Sequence, residues 1–261
     1  MTSGHSCVTG LRPIFTLLIL LFLVIPPASQ GADATDDARL KALILEVIRE
    51  NPEVIYESLN TYLKNQRQAQ ADQELEQSFK NRREFTVPPH SPWQGSSEAP
   101  ITIVEFTDFQ CQYCARGAAT LKQLARKYTG KIKIVFRHNP LKFHEQARPA
   151  ALAAMAAHEQ GKFWEYHDLL FQNLQRFSDE IYVELAGQLE LDLERFNRMR
   201  ASESVAQQVD ADLQKAQEHK FTGTPMFIVN GIVVHGAKPM DYFSKVIDRL
   251  LEEQAAATPE S

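Results

Sequence analysis

The chain has few cysteines and no strong excess of charge of either sign. Of its 261 residues three are cysteine, and 28 basic against 33 acidic side chains give a formal net charge of −5. This balance offers no electrostatic support for binding to nucleic acid or to an anionic membrane surface. No internal repeat is visible in the sequence. A hydrophobic fraction of 44% with 23% charged residues is typical of a globular protein.

The chain also lacks an apolar run long enough to cross a membrane. Residues 14–25, which follow Arg12, are apolar for about a dozen positions, whereas a spanning helix needs roughly 20. This length predicts the core of a signal peptide at residues 1–34, so we expect an exported, for example periplasmic, protein. Cleavage after Ser29-Gln30-Gly31 and cleavage at Ala32-Asp33-Ala34 are both open, and an uncleaved anchor is the alternative.

Cysteine spacing favours redox chemistry over structural cross-linking. Cys7 precedes the apolar run and would be removed with it, which leaves Cys111 and Cys114 in the mature chain. A structural disulfide in an exported protein usually closes a longer loop, because its stabilisation grows with loop length. Two thiols separated by only two residues gain little stability from a bond, and we therefore expect them to cycle between dithiol and disulfide.

The segments around this pair support that interpretation. An apolar, β-branched run at residues 101–106 predicts a buried strand, and a helix-prone segment follows from Ala115 to Tyr128. Unpaired N–H groups at a helix start stabilise a thiolate and lower its pKa from about 8.5 into the range of about 3.5–7.5. We expect Cys111 to be the exposed, attacking thiol and Cys114 the buried, resolving thiol.

The dipeptide between the cysteines sets which donors reach the Cys111 sulfur. Gln112 and Tyr113 carry no fixed positive charge. A histidine there would stabilise the thiolate more strongly, so this pair predicts a milder oxidant than a site with histidine.

Two positions outside the pair are further candidates. Glu105 shares a strand face with Ile101 and Ile103, where a carboxylate is costly unless it is paired or functional. It is either a buried acid that moves protons near Cys114 or a strand-end glutamate bonded to water. Thr224-Pro225 precedes a predicted strand, where the proline is either trans and structural or cis and facing the cysteines.

The chain divides into an N-terminal helical segment, a linker and a main domain. Helical apolar stripes at 36–50 and from Pro52 onward, followed by a polar tract, predict helices over residues 35–85. This stripe needs a surface to bury against, and we favour self-association over packing on the same chain. Residues 86–98, which are rich in Pro, Ser and Gly, are predicted to be a linker. The main domain is placed at 99–254, with a tail at 255–261.

Within the main domain the predicted order is strand, helix, strand, a wholly helical stretch, a hairpin and a last helix. The hairpin follows from Asn230-Gly231 between two apolar runs. A helix joining two strands implies a parallel pair with a right-handed crossover. This order predicts an α/β thioredoxin fold with a helical insertion between about Glu145 and Lys220.

Three features together resemble the DsbA family of exported thiol–disulfide oxidoreductases over residues 99–254. They are the segment Glu105–Cys114, the Gly223-Thr224-Pro225 tripeptide and the helical insertion between them. Residues 47–55 resemble the N-terminal region of ScsC-type proteins, the suppressor-of-copper-sensitivity branch, in which this segment can mediate oligomerisation.

The resemblance implies a role for several residues of this chain. Cys111 would be the nucleophile, Cys114 the resolving thiol, Glu105 the buried acid and Pro225 a cis-proline beside them. The backbone of Thr224 would then pair with an extended substrate chain. Gln112 departs from the Pro or Gly that is frequent in the family, which bears on the redox potential and not on the chemistry.

The leading hypothesis is an enzyme that forms, reduces or isomerises disulfides in cysteine-containing proteins, without a cofactor. Its expected partners are a membrane redox protein, DsbB-like or DsbD-like, and further copies of itself. An oligomer would favour isomerase action and a monomer oxidase action. The alternative is a Cu(I)-binding thiol protein of copper tolerance, because two thiolates suit that soft ion. A peroxidase or glutathione-dependent enzyme has no supporting motif.

The histidines are not expected to hold a metal. His138 and His144 bracket a turn, and His158 and His167 fall on separate predicted helices, so none forms a close-spaced ligand pair. We interpret them as surface or packing residues, and we expect no zinc site.

Overall fold

The computed structural model describes residues 34–257, so the predicted signal peptide, Cys7 and the last four residues lie outside the described part of the chain. Two compact units divide the chain after Lys64. Within residues 34–257, no helix combines the length and the apolar content that crossing a membrane requires.

The first unit contains α1 (Ala34–Glu50) and the beginning of α2 (Pro52–Lys80). Pro52 opens α2 as expected, because a proline at the first helical position loses no intrahelical hydrogen bond. The apolar stripe of this unit is exposed in the single chain and comprises Leu40, Leu43, Ile44, Leu45, Val47, Ile48, Val54, Ile55, Tyr56, Leu59, Tyr62 and Leu63.

The second unit begins with the rest of α2, which differs from the sequence prediction. We expected the polar tract after Leu63 to lead away from the body of the protein, as part of one segment at 35–85. Instead, Leu75 and Phe79 are buried in the core of the second unit. Their helix is held by ion pairs of Glu74 with Lys238 and of Asp72 with Lys245, and the Arg249 guanidinium lies 3.8 Å from the Phe79 ring centre.

A five-stranded mixed sheet forms the centre of this unit, in the order β1-β3-β2-β4-β5. The predicted parallel pair is confirmed, with Ile101 of β2 opposite Ile132 of β3. The hairpin is also confirmed, since Asn230 and Gly231 both adopt positive φ as a tight hairpin turn requires. The strands are β1 (Trp93–Gly95), β2 (Ile101–Thr107), β3 (Ile132–His138), β4 (Met226–Val229) and β5 (Ile232–His235).

Helices cover both faces of the sheet. On one face Ile101, Ile103 and Phe227 pack against α3 (Gln112–Lys127) and α9 (Met240–Ala257). On the other face Val104 and Phe106 pack against Ala216 of α8. The helical insertion has its own core around Tyr166 and Phe196. It comprises α4 (Ala147–His158), α5 (Phe163–Gln172), a 3₁₀ turn (Leu174–Arg176), α6 (Asp179–Gln188), α7 (Leu193–Arg200) and α8 (Glu203–Glu218).

Two local expectations were incomplete, whereas α7 falls within the predicted helical stretch. Four of the eight residues of α7 are charged and only Phe196 is buried, and Asp192 caps the helix by accepting from the Arg195 N–H. The predicted linker at 86–98 contains β1, which pairs antiparallel with β3 and is too short for sequence periodicity to reveal. The last helix runs to Ala257, so the predicted tail at 255–261 begins inside it.

Candidate functional site

The two cysteines lie at the N-terminus of α3 with both thiols free. Cys111 is the N-cap residue in an extended conformation, and its carbonyl oxygen accepts from the N–H groups of Cys114 at 3.0 Å and Ala115 at 3.2 Å. Cys114 is fully buried and Cys111 is 7% exposed. Cys111 is therefore the outer thiol, but our expectation of an openly exposed sulfur was wrong, because neighbouring chain segments enclose it.

The environment separates the acidities of the two thiols. The pKa of Cys111 is lowered to about 5, first by a hydrogen bond from the Cys114 side chain and further by Thr224 and by the backbone N–H groups of Cys114 and Tyr113. Burial raises the pKa of Cys114 well above its usual value, and its hydrogen bond to Cys111 adds to that effect. The site can thus hold a thiolate at the outer sulfur and a thiol at the inner one.

The segment before β4 closes over the outer sulfur. The peptide bond between Thr224 and Pro225 is cis, and the Thr224 carbonyl oxygen lies 3.7 Å from the Cys111 Sγ. A Cβ at Gly117 of α3 would lie 3.3 Å from the Pro225 ring and 3.1 Å from the Phe227 ring. The helix can approach this proline closely because position 117 has no side chain.

Glu105 is fully buried in the middle of β2, in register with Phe136 of β3 and Phe227 of β4. Neither carboxyl oxygen has a hydrogen-bond partner among the described residues. Burial raises the pKa of Glu105 to about 8, and the nearby Thr107 side chain lowers it in part. Glu105 is therefore a buried acid inside the strand and not the strand-end glutamate that we considered.

Thr107 is a site residue that the sequence reasoning missed. Its hydroxyl acts on the pKa of both Glu105 and Cys114, which places it within interaction distance of both groups. The alternation of side chains along a strand could have identified Thr107, because Ile103, Glu105 and Thr107 lie on one face of β2. Thr107 connects the buried acid with the inner thiol.

Asp108 is a second missed residue, although it lies within the motif that carries the resemblance. Its buried carboxylate accepts from the Gln110 N–H at 2.7 Å and the Leu141 N–H at 2.8 Å, and it lies 2.9 Å from the His144 Nδ1. The bond to Gln110 forms an Asx turn two residues ahead. Through these contacts Asp108 ties the loop before Cys111 to the loop after β3.

The residues between the cysteines face solvent. Gln112 and Tyr113 are both exposed, and the guanidinium of Arg116 lies 4.4 Å from the Tyr113 ring centre. The dipeptide itself has no charge, as expected. The structure adds a cation one turn along the helix, stacked on the tyrosine.

The histidines do not form a metal site in the described residues. Between residues 34 and 257, no cluster of three or more His, Cys, Asp or Glu side chains has a geometry that could hold a metal ion. His138 and His167 are buried, and burial lowers the pKa of His138 to about 4. His144 pairs with Asp108, so it is more than the surface or packing residue that we expected.

An apolar groove of about 640 Å³ lies between the loop after β3 and the segment before the cis-proline. Phe221 and Thr222, two positions before Thr224, form part of one wall, and Leu141 and Phe143 form another. None of the described residues that line the groove is acidic. Its charged residues are Lys142 and Lys220, both exposed. A groove with this lining is suited to an extended chain with an apolar side chain and neighbouring acidic groups.

Comparisons with known proteins agree with this architecture. A family model described as thioredoxin matches residues 87–249, more than half of the chain. A thioredoxin-like oxidoreductase from Silicibacter pomeroyi is 29% identical, with a TM-score of 0.57 over 63% of this chain and 94% of the other. Among the curated relatives, the Na(+)/H(+) antiporter NhaA 3 of Salinispora tropica is 30% identical over 245 residues, 94% of this chain. The chain spans only 37% of the length of that relative.

Two further solved structures share the fold at lower identity. Wolbachia pipientis alpha-DsbA1 is 21% identical, with a TM-score of 0.59 over 66% of this chain and 96% of the other. Proteus mirabilis ScsC is 19% identical, with a TM-score of 0.56 over 85% of this chain and all of the other. The family match and these neighbours, together with two cysteines at the start of α3 facing a cis-proline, show that the chain belongs to the thioredoxin family, with the fold of the DsbA and ScsC proteins.

Proposed function

We propose that the protein is a thiol–disulfide oxidoreductase that forms, reduces or isomerises disulfides in exported client proteins. The observation that carries this proposal is the asymmetry of the two thiols at the start of α3. Cys111 has a pKa of about 5 and is the less buried of the two thiols, at 7% exposure, whereas Cys114 is fully buried with a raised pKa. A thiolate attacks disulfides and a thiol does not, so only the outer sulfur is ready to react at neutral pH.

In the reducing direction, the Cys111 thiolate attacks a client disulfide. A Cys111–client S–S bond forms, the client S–S bond breaks, and the released client thiolate takes up a proton. Cys114 then loses its proton and attacks the Cys111 Sγ, which releases the second client thiolate and closes the Cys111–Cys114 disulfide. The client gains two electrons from the site and two protons, one of which Cys114 releases and one of which comes from solvent, because Cys111 begins as a thiolate. The same steps in reverse oxidise a client dithiol.

The lowered pKa of Cys111 bears on the preferred direction. Every interaction that stabilises the thiolate stabilises the dithiol form relative to the disulfide, and so makes the disulfide a better oxidant. The carbonyl of Thr224 and the groove along Phe221 and Thr222 would hold the client chain beside the sulfur.

Self-association is the second part of the proposal. The exposed side chains of α1 and early α2 form a long apolar stripe that, in the single chain, faces solvent. A second copy carries the same stripe, and packing the two together would remove both from water. Several reactive sites in one assembly would hold a misfolded client at more than one cysteine, which favours isomerisation and requires a membrane partner that keeps the site reduced.

The enzymatic proposal is tested by trapping. The Cys114→Ser variant should accumulate a covalent complex with scrambled ribonuclease, whose disulfides the Cys111 thiolate can attack, while the matched Cys111→Ser variant should trap nothing and fail to reduce insulin. Equal trapping by both variants, or by neither, would contradict the assignment of the nucleophile.

Assembly is tested by sedimentation of the full chain. Replacing Leu43 and Ile44 with glutamate should convert an oligomer into a monomer, whereas Lys41→Glu, at an exposed lysine paired with Asp37, serves as the control. If the wild-type chain sediments as a monomer, self-association is contradicted, and oxidase action is then favoured over isomerase action.

Cu(I) binding remains the alternative function, since both thiols are free and adjacent. A copper carrier would bind one Cu(I) through Cys111 and Cys114 with high affinity. It would also fail to refold scrambled ribonuclease, so the same activity assay separates the two functions.

A further inference from the structure

A small cavity of about 60 Å³ lies against the buried carboxyl group of Glu105. Helix α3 contributes Ala118, Leu121 and Lys122 to its wall, α5 contributes Trp164, His167 and Asp168, and β1 contributes Gln94. A cavity needs only about 10–15 Å³ to hold one water molecule. This one therefore has room for more than one water between Glu105 and α5.

The buried polar atoms along the cavity wall have no protein partners. Both carboxyl oxygens of Glu105 and the Nε2 of His167 are buried without a hydrogen bond among the described residues. Each such atom is destabilising if it is left unpaired. Water in a polar cavity of this size can pair with all three, which makes a hydrated cavity the favourable state.

The outer end of the cavity reaches solvent through charged side chains. The Nδ1 of His167 lies 3.1 Å from one oxygen of Asp168, and the Lys122 Nζ lies 2.7 Å from the other oxygen. The side chain of His167 is 5% exposed, whereas those of Asp168 and Lys122 are 42% and 63% exposed. These three groups therefore lead from the buried cavity to bulk water.

The electrostatics determine the tautomer of His167. Its hydrogen bond to Asp168, together with Lys122, lowers the pKa of Asp168 to about 2, and burial lowers the pKa of His167. Asp168 is then an acceptor, so the neutral imidazole must carry its proton on Nδ1. The Nε2 is left as an acceptor that lines the cavity.

A proton path from the active site into this cavity would begin at the resolving thiol of Cys114. Thr107 follows Glu105 on the same face of β2, and its buried hydroxyl has no hydrogen-bond partner among the described residues. This hydroxyl also acts on the pKa of both Cys114 and Glu105. The strands on either side place only Phe136 and Phe227 opposite Glu105. The titratable groups around Glu105 are thus Cys114 beyond Thr107, and Lys122, His167 and Asp168 across the cavity.

We propose that the proton of Cys114 leaves to solvent through Thr107, Glu105, the cavity water and the His167–Asp168 pair. This inference rests on the proposed function, because the proton is released when Cys114 attacks the Cys111 sulfur. As that S–S bond forms, one oxygen of Glu105 gains a proton from the thiol side and the other passes a proton to the cavity water. His167 accepts it at Nε2 and releases its Nδ1 proton to Asp168, which passes it to solvent. One transfer leaves the His167 proton on Nε2 and the Glu105 proton on its other oxygen, so proton exchange with the cavity water and with solvent must restore both groups before the next turnover.

The test isolates the closing step with a small disulfide. With 2,2′-dithiodipyridine, attack by Cys111 releases one thiopyridone and attack by Cys114 releases the second, so both steps are followed by absorbance. His167→Phe should slow the second release by ~10-fold or more, since general acid–base catalysis contributes about 10²–10⁴. The pH dependence of that step and its solvent deuterium effect should also change, while the first release stays the same.

Two further variants keep the test decisive if His167→Phe folds poorly. Ala118→Leu fills the cavity from a partly exposed helix position without removing a charge, and should also slow only the second release. His158→Phe replaces a half-buried histidine that does not line the cavity, and should change neither step. Unchanged closing rates and deuterium effects in folded His167→Phe and Ala118→Leu overturn the route. A slow first release in the wild type would instead contradict the proposed function.

Discussion

Burial of Glu105 makes the stability of the dithiol protein fall as pH rises. The pKa of this carboxyl group is raised from 4.5 to about 8 by burial. Between pH 4.5 and about pH 8 the folded chain keeps the proton that the unfolded chain loses, so the folded chain binds more protons. Unfolding therefore becomes more favourable with increasing pH. The contribution of protonated Glu105 to the free energy of unfolding is fully present below pH 4.5 and is lost progressively until the pH passes about 8.

The size of the effect follows from the shift. One pKa unit corresponds to about 1.4 kcal/mol, so Glu105 should lower the free energy of unfolding by about 3–4 kcal/mol between pH 5 and pH 8. The total stability of a domain is only about 5–15 kcal/mol. The contribution of this one buried group is therefore large enough to measure by equilibrium denaturation.

The assay compares the wild type with Glu105→Gln. Urea unfolding of the reduced proteins, followed by circular dichroism at several pH values, gives both stability curves. The amide has no proton to lose, so the free energy of unfolding of Glu105→Gln relative to the wild type should grow by about 3–4 kcal/mol from pH 5 to pH 8. Any constant effect of burying an amide, and the titration of the cysteines, cancel from this difference.

Glu145→Gln serves as the control because it removes the same charge at an exposed position. Stability curves of the wild type and Glu105→Gln that run parallel from pH 5 to pH 8 would refute the reasoning. The carboxyl group would then be hydrated or paired well enough to ionise normally in the folded protein.

Three further perturbations have defined outcomes. In Cys114→Ala the largest cause of the low Cys111 pKa is removed, so the thiolate absorbance at 240 nm should titrate well above the midpoint of about pH 5 expected for the wild type. Phe79→Ala empties a buried position against the Arg249 guanidinium and should lower the free energy of unfolding by about 3–5 kcal/mol in urea titrations. Arg137→Met leaves Asp212 buried without its 2.6 Å partner and should lower thermal stability by an amount equivalent to about 3–5 kcal/mol.

Each of these outcomes has a matched comparison. Cys114→Ser keeps a donor beside Cys111 and should retain a lower thiolate midpoint than Cys114→Ala. Tyr56→Ala truncates an exposed aromatic residue of α2 and should not destabilise the second unit. Replacing Arg137 and Asp212 together, by Met and Leu, should recover much of the loss. If the double variant were as unstable as Arg137→Met, the unpaired buried charge of Asp212 would not be the cause of the lost stability.

Much of the fold followed from short-range patterns. The β-branched run of β2, the Asn230-Gly231 turn and the apolar stripe of α9 each report a local conformation that neighbouring residues impose. The parallel pairing of β2 and β3 followed in turn, because a helix between two strands permits few arrangements. The short strand β1 escaped prediction, since three residues show no period.

The cysteine pair, its helix and the motif around it were determined by the sequence alone, because helix N-termini and two-residue spacing act over a few residues. Tertiary structure decided the rest. It enclosed Cys111 beside Thr224, left Glu105 without partners, and joined Asp108 to His144 across 36 positions. It also divided α2 between two units and opened a cavity between α3 and α5. Burial and distant contacts depend on what packs against a residue, and that is known only once the whole chain has folded.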